Sequence, residues 1–377
     1  MRIAVLGGGP AGLYFAYLWK RRHPRTQITL YEQNPPDATW GFGVVFSERA
    51  LEFLRVDDPE TADLIALHLE DWRDMTLDLR GEQIALDGIG FSAIGRLKLL
   101  ALLQQRVYSV GIEPKFRTPI QSLQELDDVD LVVGADGLNS IVRRSFESEF
   151  GSSLHFASNK FVWYGTSKRF DTLTQTFVDT GLGCFNAHHY RYADDMSTFL
   201  IECDEQTWLS YGFATKSGDE SRAICEQVFF RTLGGHPLLS NHSVWRNFPW
   251  VWNKRWYVRN MVLVGDALHT AHFSIGSGTR LAIEDVLALV KALETENDIA
   301  RGLARYQAER RPIVETFVEA AKASANWYEN FPAHMRLDPL RFAYSYITRS
   351  GRIDDARLRK MSPAFMARFE ALHPNAT

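Results

Sequence analysis

Arg2 to Leu6 form a short apolar run that reads as a buried strand, and Gly7-Gly8-Gly9-Pro10-Ala11-Gly12 follows at once, giving G-x-G-x-x-G ahead of the helical run Leu13 to Trp19. Strand, tight turn and helix in this order commit the chain's start to an α/β unit. Gly7 permits the turn, Gly9 lets a pyrophosphate approach the backbone, and Gly12 allows close helix packing. The free N–H groups of the helix start, with Pro10 and Ala11, face the phosphate. A second strand, Gln27 to Tyr31, ends at Glu32 and Gln33, twenty residues past Gly12, where a carboxylate accepts from ribose hydroxyls. The motif predicts dinucleotide binding and leaves open whether the ligand carries a flavin or a nicotinamide.

Two later segments repeat the pattern of a buried strand broken by a polar turn. Leu131 to Val133 run into Gly134-Ala135-Asp136-Gly137, with Arg143 in the helix that follows. Met261 to Val264 run into Gly265-Asp266-Ala267, then His269, His272 and Gly276-Ser277-Gly278-Thr279, before a helix expected over Arg280 to Leu293. The net charge of −4 gives no nucleic-acid signature, and three widely spaced cysteines offer neither metal-ligand nor redox spacing. The apolar start is too short to span a membrane, so a cytoplasmic protein is expected.

These three motifs, in this order and spacing, resemble the para-hydroxybenzoate-hydroxylase family of FAD-dependent aromatic monooxygenases over most of the chain. The resemblance implies that FAD is held tightly and non-covalently. The first motif would grip its ADP moiety, Asp136, Gly137 and Arg143 its pyrophosphate side, and Gly265 and Asp266 its ribitol. Gly276, Ser277, Gly278 and Thr279 would bring backbone donors to the flavin. Arg96, at the start of a helix, is expected beside the cofactor, and the loop Trp40 to Ser47, including Val45, over the flavin ring. No second G-x-G-x-x-G unit is present, so NADH or NADPH is expected as a transient co-substrate. Hydroxylation would run through a flavin C(4a)-hydroperoxide.

Ala271 to Thr279 lacks the double-proline segment common in simple phenol hydroxylases. With Phe161 to Ser167 and Met196 to Cys203, it resembles the branch acting on aryl-CoA thioesters. An aromatic acyl-CoA is therefore the expected substrate, salicyloyl-CoA first, with 4-hydroxybenzoyl-CoA or a free indole amino acid such as tryptophan as rivals. Outside this chemistry stand a flavin-dependent reductase and an FAD-binding sensor. Trp250-Val251-Trp252 is followed by Asn253-Lys254 rather than the Ile-Pro of flavin-dependent halogenases, which disfavours halogenation.

The expected fold is α/β, a Rossmann-like parallel sheet lobe with an inserted, mainly antiparallel substrate lobe and C-terminal helices. FAD-binding segments are placed at 1–75, 92–154 and 255–325, substrate-lobe strands at 76–91 and 155–254, and a helical region at 326–377. A helix over Ala300 to Ala325 is expected to be interrupted at Arg311-Pro312. His272 and His269 are the candidate bases for drawing a phenolic proton, since imidazole titrates near neutrality. Lys160, Lys168, Arg169, Arg191, Lys254 and Arg255 are candidates for CoA phosphates. The expected partners are a small aromatic thioester and O2, without nucleic acid or membrane, for a monomer or homodimer.

Overall fold

A computed structural model describes residues 1–47, 52–126, 128–296 and 298–373. The first sheet has five strands in the order Tyr257–Val258, Met261–Leu263, Leu131–Gly134, Arg2–Leu6 and Gln27–Tyr31. All neighbours are parallel except the first pair, and Leu6 sits level with both Tyr31 and Gly134. Ile3, Val5, Leu131, Val133, Val262 and Leu263 are buried, as expected of strands covered on both faces. Helices Pro10–Arg22 and Gly278–Thr295 pack on this sheet through Leu13, Phe15, Ile283, Val286 and Leu289.

A second sheet runs Leu238–Ser240, Ser152–Thr166, Met196–Cys203, Cys184–Ala193, Leu173–Asp179, Met75–Leu79 and Glu82–Leu86, with Arg246–Asn253 added along the long Ser152–Thr166 strand. Most of its pairs are antiparallel; Leu173–Asp179 runs parallel to Met75–Leu79. Alternation divides its faces. Phe199, Ile201 and Cys203 enter one core with Phe185 and Phe229, while Thr198, Leu200 and Glu202 turn to the opposite face. Two of this sheet's strands come from residues 75–86 and the rest from 152–253, so the mixed fold is interleaved in sequence. Beyond it lie the C-terminal helices, Pro339–Thr348, Asp355–Met361 and Pro363–Leu372.

Two expectations are corrected. The helix Ile299–Glu329 runs through Pro312 without a break. Pro312 and Ala308 both lie on its exposed face, so the carbonyl that the missing N–H leaves free meets water rather than protein. The helix spans two cores as a result, with Tyr306 and Val314 under the parallel sheet and Trp327 and Tyr328 among the C-terminal helices. Within the expected loop Trp40 to Ser47, residues Gly43–Ser47 form a strand paired with Phe91–Gly95. Among the described residues no helix is long and apolar enough to cross a membrane.

Candidate functional site

The three turns meet at the carboxyl ends of the parallel strands, the position where open α/β sheets bind ligands. Gly7, at φ +104°, donates its N–H to Tyr31 O at 2.8 Å. A Cβ on Gly7 would fall 2.2 Å from the Ala135 carbonyl oxygen, and one on Gly12 would fall 1.9 Å from the Gly7 carbonyl oxygen. These two glycines are consumed by packing. Gly9, Gly137 and Gly278 differ: a Cβ on any of them would meet no protein atom within 4 Å. Gly265 lies against Ala11 and Ala282, so the third motif touches the starts of both helices that flank the groove.

Neither helix start is closed by protein. Gly9 caps Pro10–Arg22, and Ser277 caps Gly278–Thr295, with no side-chain hydrogen bond in either case. The Ser277 hydroxyl turns back to Ile275 O at 3.1 Å. Two sets of first-turn amides, including those of Gly278 and Thr279, are left for a ligand, with the positive ends of both helix dipoles behind them. Glu32 closes the far end, accepting from Gly8 N at 2.6 Å and from Asn34 N and Nδ2 at 2.8 and 2.7 Å. Gln33 beside it is exposed.

Asp136 accepts from Ile141 N at 2.7 Å through Oδ2, while Oδ1 is buried without a partner. Burial pushes its carboxyl above the usual range, against the Ser140 and Ile141 hydrogen bonds. Asp266 and Arg96 stand near enough to act on each other's charge, Asp266 exposed and Arg96 half-buried. Burial raises Asp266 and Arg96 pulls it back; burial lowers Arg96 and Asp266 opposes that. Arg96 is positioned by its own N–H on Phe42 O at 2.7 Å, and its guanidinium stands 5.9 Å from the Trp163 ring. A cleft of about 600 Å³ lined by Gly41, Phe42, Arg96, Lys98 and Tyr192 leads to it from outside. A second concavity, of about 550 Å³ beside Gln307 and Arg311, includes none of the motif residues.

Glycines also hold the 41–43 segment down. A Cβ on Gly41 would strike the Trp163 ring at 2.7 Å, and one on Gly43 the Tyr192 side chain at 2.7 Å. Conversely, Phe42 fills the place a side chain at Gly165 would take, 2.4 Å away. Gly43 N donates to Thr198 Oγ1 at 2.8 Å, and Tyr190 Oη donates to Gly43 O at 3.0 Å. Val45 reaches Gly276, whose Cβ would stand 3.3 Å from Val45 Cγ1.

Two of the expected ligand contacts spend their side chains on protein. Arg143 donates to Ala267 O at 3.0 Å and to Leu138 O, tying the second motif to the third. His269 is buried, with Nε2 2.9 Å from Asp285 Oδ2. His272 lies among Phe273, Phe248 and Trp250, at ring separations of 4.1, 4.7 and 6.1 Å. Phe161 and Phe273, 5.0 Å apart and half-buried, extend this aromatic wall to the second sheet.

Glu202 is not among the residues expected at the site. It is buried, with Oε1 accepting from Asn159 Nδ2 at 2.8 Å and Oε2 unpartnered, 3.8 Å from His188 Nε2. Burial keeps His188 neutral, down to about 3, so that approach is not an ion pair. The period-two alternation already seen in Thr198 to Ile201 places Glu202 on the Thr198 face when it is carried one residue further. Three of the six candidate phosphate-binding cations are already engaged. Lys160 donates to Asn247 Oδ1 at 2.6 Å, Lys168 to Thr232 O at 2.5 Å, and Arg191 to Glu70 at 2.6 Å and three backbone carbonyls.

Comparison with known proteins gives matches of three kinds. Residues 239–321 match the FAD binding domain family. Salicyloyl-CoA 5-hydroxylase of a Streptomyces species is 39% identical over 361 residues, covering 93% of this chain and 70% of that protein. The 3-hydroxy-4-methyl-anthranilyl-[aryl-carrier protein] 5-monooxygenase of Streptosporangium sibiricum is 36% identical over 332 residues, covering 88% and 90%. Among solved structures, Pseudomonas aeruginosa PqsL in complex with 2-aminobenzoylacetate superposes with a TM-score of 0.70 at 21% identity, covering 92% of this chain and all of that one, a likeness of fold.

Proposed function

The chain belongs to the FAD-dependent aromatic monooxygenases, and from that premise we propose that it hydroxylates the ring of an aromatic acyl-CoA, salicyloyl-CoA foremost, with NADH or NADPH as reductant and O2 as oxygen source. The observation that carries this reading is the 39% identity to a salicyloyl-CoA 5-hydroxylase across 93% of the chain. The groove supports it, since three glycines facing open space, two uncapped helix starts and an orphaned Asp136 oxygen suit a pyrophosphate and a flavin. Bound FAD would take electrons from reduced nicotinamide and activate O2 for transfer to an electron-rich ring.

The chain's own residues would then divide the work. The amides at Gly9, Ala11 and Gly137 cradle the pyrophosphate, with Pro10 setting the helix start, Glu32 and Gln33 at the adenosine ribose and Asp266 and Arg96 at the ribitol. The amides at Ser277, Gly278 and Thr279 face the flavin's pyrimidine edge, where the dipole of Gly278–Thr295 stabilises negative charge. Val45 and Gly276 clamp the ring's surroundings. Phe161, Phe248 and Phe273 exclude water from the place of oxygen transfer, which suppresses loss of the activated oxygen as hydrogen peroxide. In a salicyl ring the phenolic oxygen activates its para carbon, and His272 is the polar side chain in the aromatic wall suited to address that oxygen.

The second relative favours a neighbouring reading, in which the aryl group arrives on a carrier protein. Both deliveries use a thioester. The deciding experiment is NADH and NADPH oxidation by FAD-loaded protein with salicyloyl-CoA, 4-hydroxybenzoyl-CoA, a salicyl-loaded carrier protein, the free acids and tryptophan, with mass spectrometry for one added oxygen. Oxygenation confined to CoA thioesters is the expected result. Oxygenation of a free acid or tryptophan overturns the thioester reading.

A further inference from the structure

His272 ends a chain of hydroxyls that begins at a cation. Arg349 Nε donates to Ser324 Oγ at 3.0 Å, the Ser324 and Ser274 hydroxyl oxygens lie 2.8 Å apart, and Ser274 Oγ lies 2.8 Å from His272 Nδ1. Ser324, Ser274 and His272 are all buried. Arg349 is anchored further by donating to Ser274 O at 2.8 Å and Tyr346 O at 2.6 Å, with its guanidinium 3.9 Å from the Tyr346 ring centre.

Both ends fix the direction of this chain. A guanidinium N–H can only donate, so Ser324 accepts there and has its own proton to give to Ser274. At the other end the backbone N–H of Ser274 donates to His272 Nδ1 at 3.4 Å, and a backbone N–H also only donates. Nδ1 is therefore an acceptor, and in the neutral ring the proton sits on Nε2. The opposite tautomer would set an Nδ1–H against the Ser274 N–H, donor to donor.

We propose that Arg349, Ser324 and Ser274 are positioning residues that lock His272 as an Nε2–H donor, so that it meets the substrate by hydrogen bonding to a carbonyl or phenolic oxygen rather than by removing a proton. The contact with substrate rests on the hydroxylase reading above; the tautomer does not. The groups facing the ring come from every packed element: Glu202 and His188 from the second sheet, Tyr328 from Ile299–Glu329, and Arg349 from the C-terminal region. Burial disfavours the imidazolium most, Glu202 opposes it, and His188 and Arg349 add to it, leaving His272 neutral down to about pH 4. At neutral pH the tautomer alone decides what the ring can do.

The test is nitrogen NMR of FAD-loaded protein labelled with 15N-histidine, the His272 signals being assigned by their loss in His272→Gln. The expected pattern is a protonated Nε2 and an acceptor Nδ1. Ser274→Ala and Arg349→Met weaken or remove the 2.8 Å hydroxyl donor and leave Nδ1 with only the longer 3.4 Å backbone N–H, so each should move the pattern toward mixed tautomers, and Arg349→Lys, which keeps a donor, should restore it. A protonated Nδ1 in the wild type, or no response to Ser274→Ala and Arg349→Met, overturns the relay. Kinetics on an oxygenated substrate separate donor from base. His272→Gln, which keeps an N–H, should lose clearly less kcat than His272→Phe, which should lose roughly a hundredfold with KM little changed. Equal loss in both variants, with the acidic limb of the pH–kcat profile abolished, would assign the base role instead. If no aromatic compound is oxygenated, the hydroxylase reading fails while the spectrum still decides the tautomer.

Discussion

His269 Nε2 stands 2.9 Å from Asp285 Oδ2, and the other oxygen of that buried carboxylate stands 2.9 Å from Arg310 Nε. Asp285 Oδ2 also accepts from Gly265 N at 3.2 Å. One carboxylate thus fastens the Gly265-Asp266 turn to two long helices. Burial pushes Asp285 up, but His269 and Arg310 outweigh it and hold the group below the usual carboxylate range. Asp285→Asn should cost about 3–5 kcal/mol, because it leaves Arg310 buried with its charge half-compensated. Thermal unfolding of the FAD-free protein would read the loss, and an unchanged midpoint would remove His269 and Asp285 from any structural role.

Gly278→Val tests the groove without touching the core. Its side chain would enter space that no protein atom occupies, at a helix start where a small residue is not needed for packing. The variant should fold with wild-type stability as apoprotein but purify without flavin absorbance. A holoprotein with wild-type flavin content would show that the cofactor lies elsewhere.

Stability should depend on pH through His188 and His272, whose folded-state values lie near 3 and 4. Below about 6.5 the unfolded chain takes up these protons and the folded chain does not. Stability is therefore complete above that value and falls as pH drops toward 4 for His272 and toward 3 for His188. Glu202, raised by burial, acts in the opposite sense from its ordinary range upward. In urea titrations between pH 6.5 and 4.5, His188→Phe should flatten the slope by about 1.4 kcal/mol per pH unit. An unaltered slope would mean that His188 is protonated in the folded protein.

Gly165→Ala should act at a distance from its own position. The new methyl group would meet Phe42, and the segment it displaces carries the carbonyl that positions Arg96. The expected outcome is retained FAD with more hydrogen peroxide formed per NAD(P)H oxidised. Unchanged coupling would show that the 41–43 segment can give way freely.

Much of the groove was legible because glycine spacing and strand ends are local properties. Gly7, Gly9, Gly12, Gly137, Gly278 and Asp266 needed only their neighbours in sequence to be placed. What escaped the reading depends on distant partners. Arg143 was expected on the pyrophosphate side of the cofactor, and only the packed structure shows two of its donors going to Ala267 and Leu138; His269 was a candidate base, and only the packed structure brings Asp285 to its Nε2. Glu202 was overlooked because a carboxylate in a strand reads as solvent-facing unless the strand is known to be covered on both sides. Pro312 was overweighted for a related reason: whether proline breaks a helix depends on where the freed carbonyl faces, which only the packed structure decides.

The interleaving of the parallel sheet has a bearing on how the protein is made. Its strands are drawn from residues 2–6, 27–31, 131–134 and 261–263, and the second uncapped helix start comes later still, at Gly278. While the nascent chain is shorter than this, the ribosome has delivered only one wall of the groove. Cofactor capture therefore waits until the chain has passed Gly278, and a product terminated before that point is left with buried-strand edges and no ligand to stabilise them.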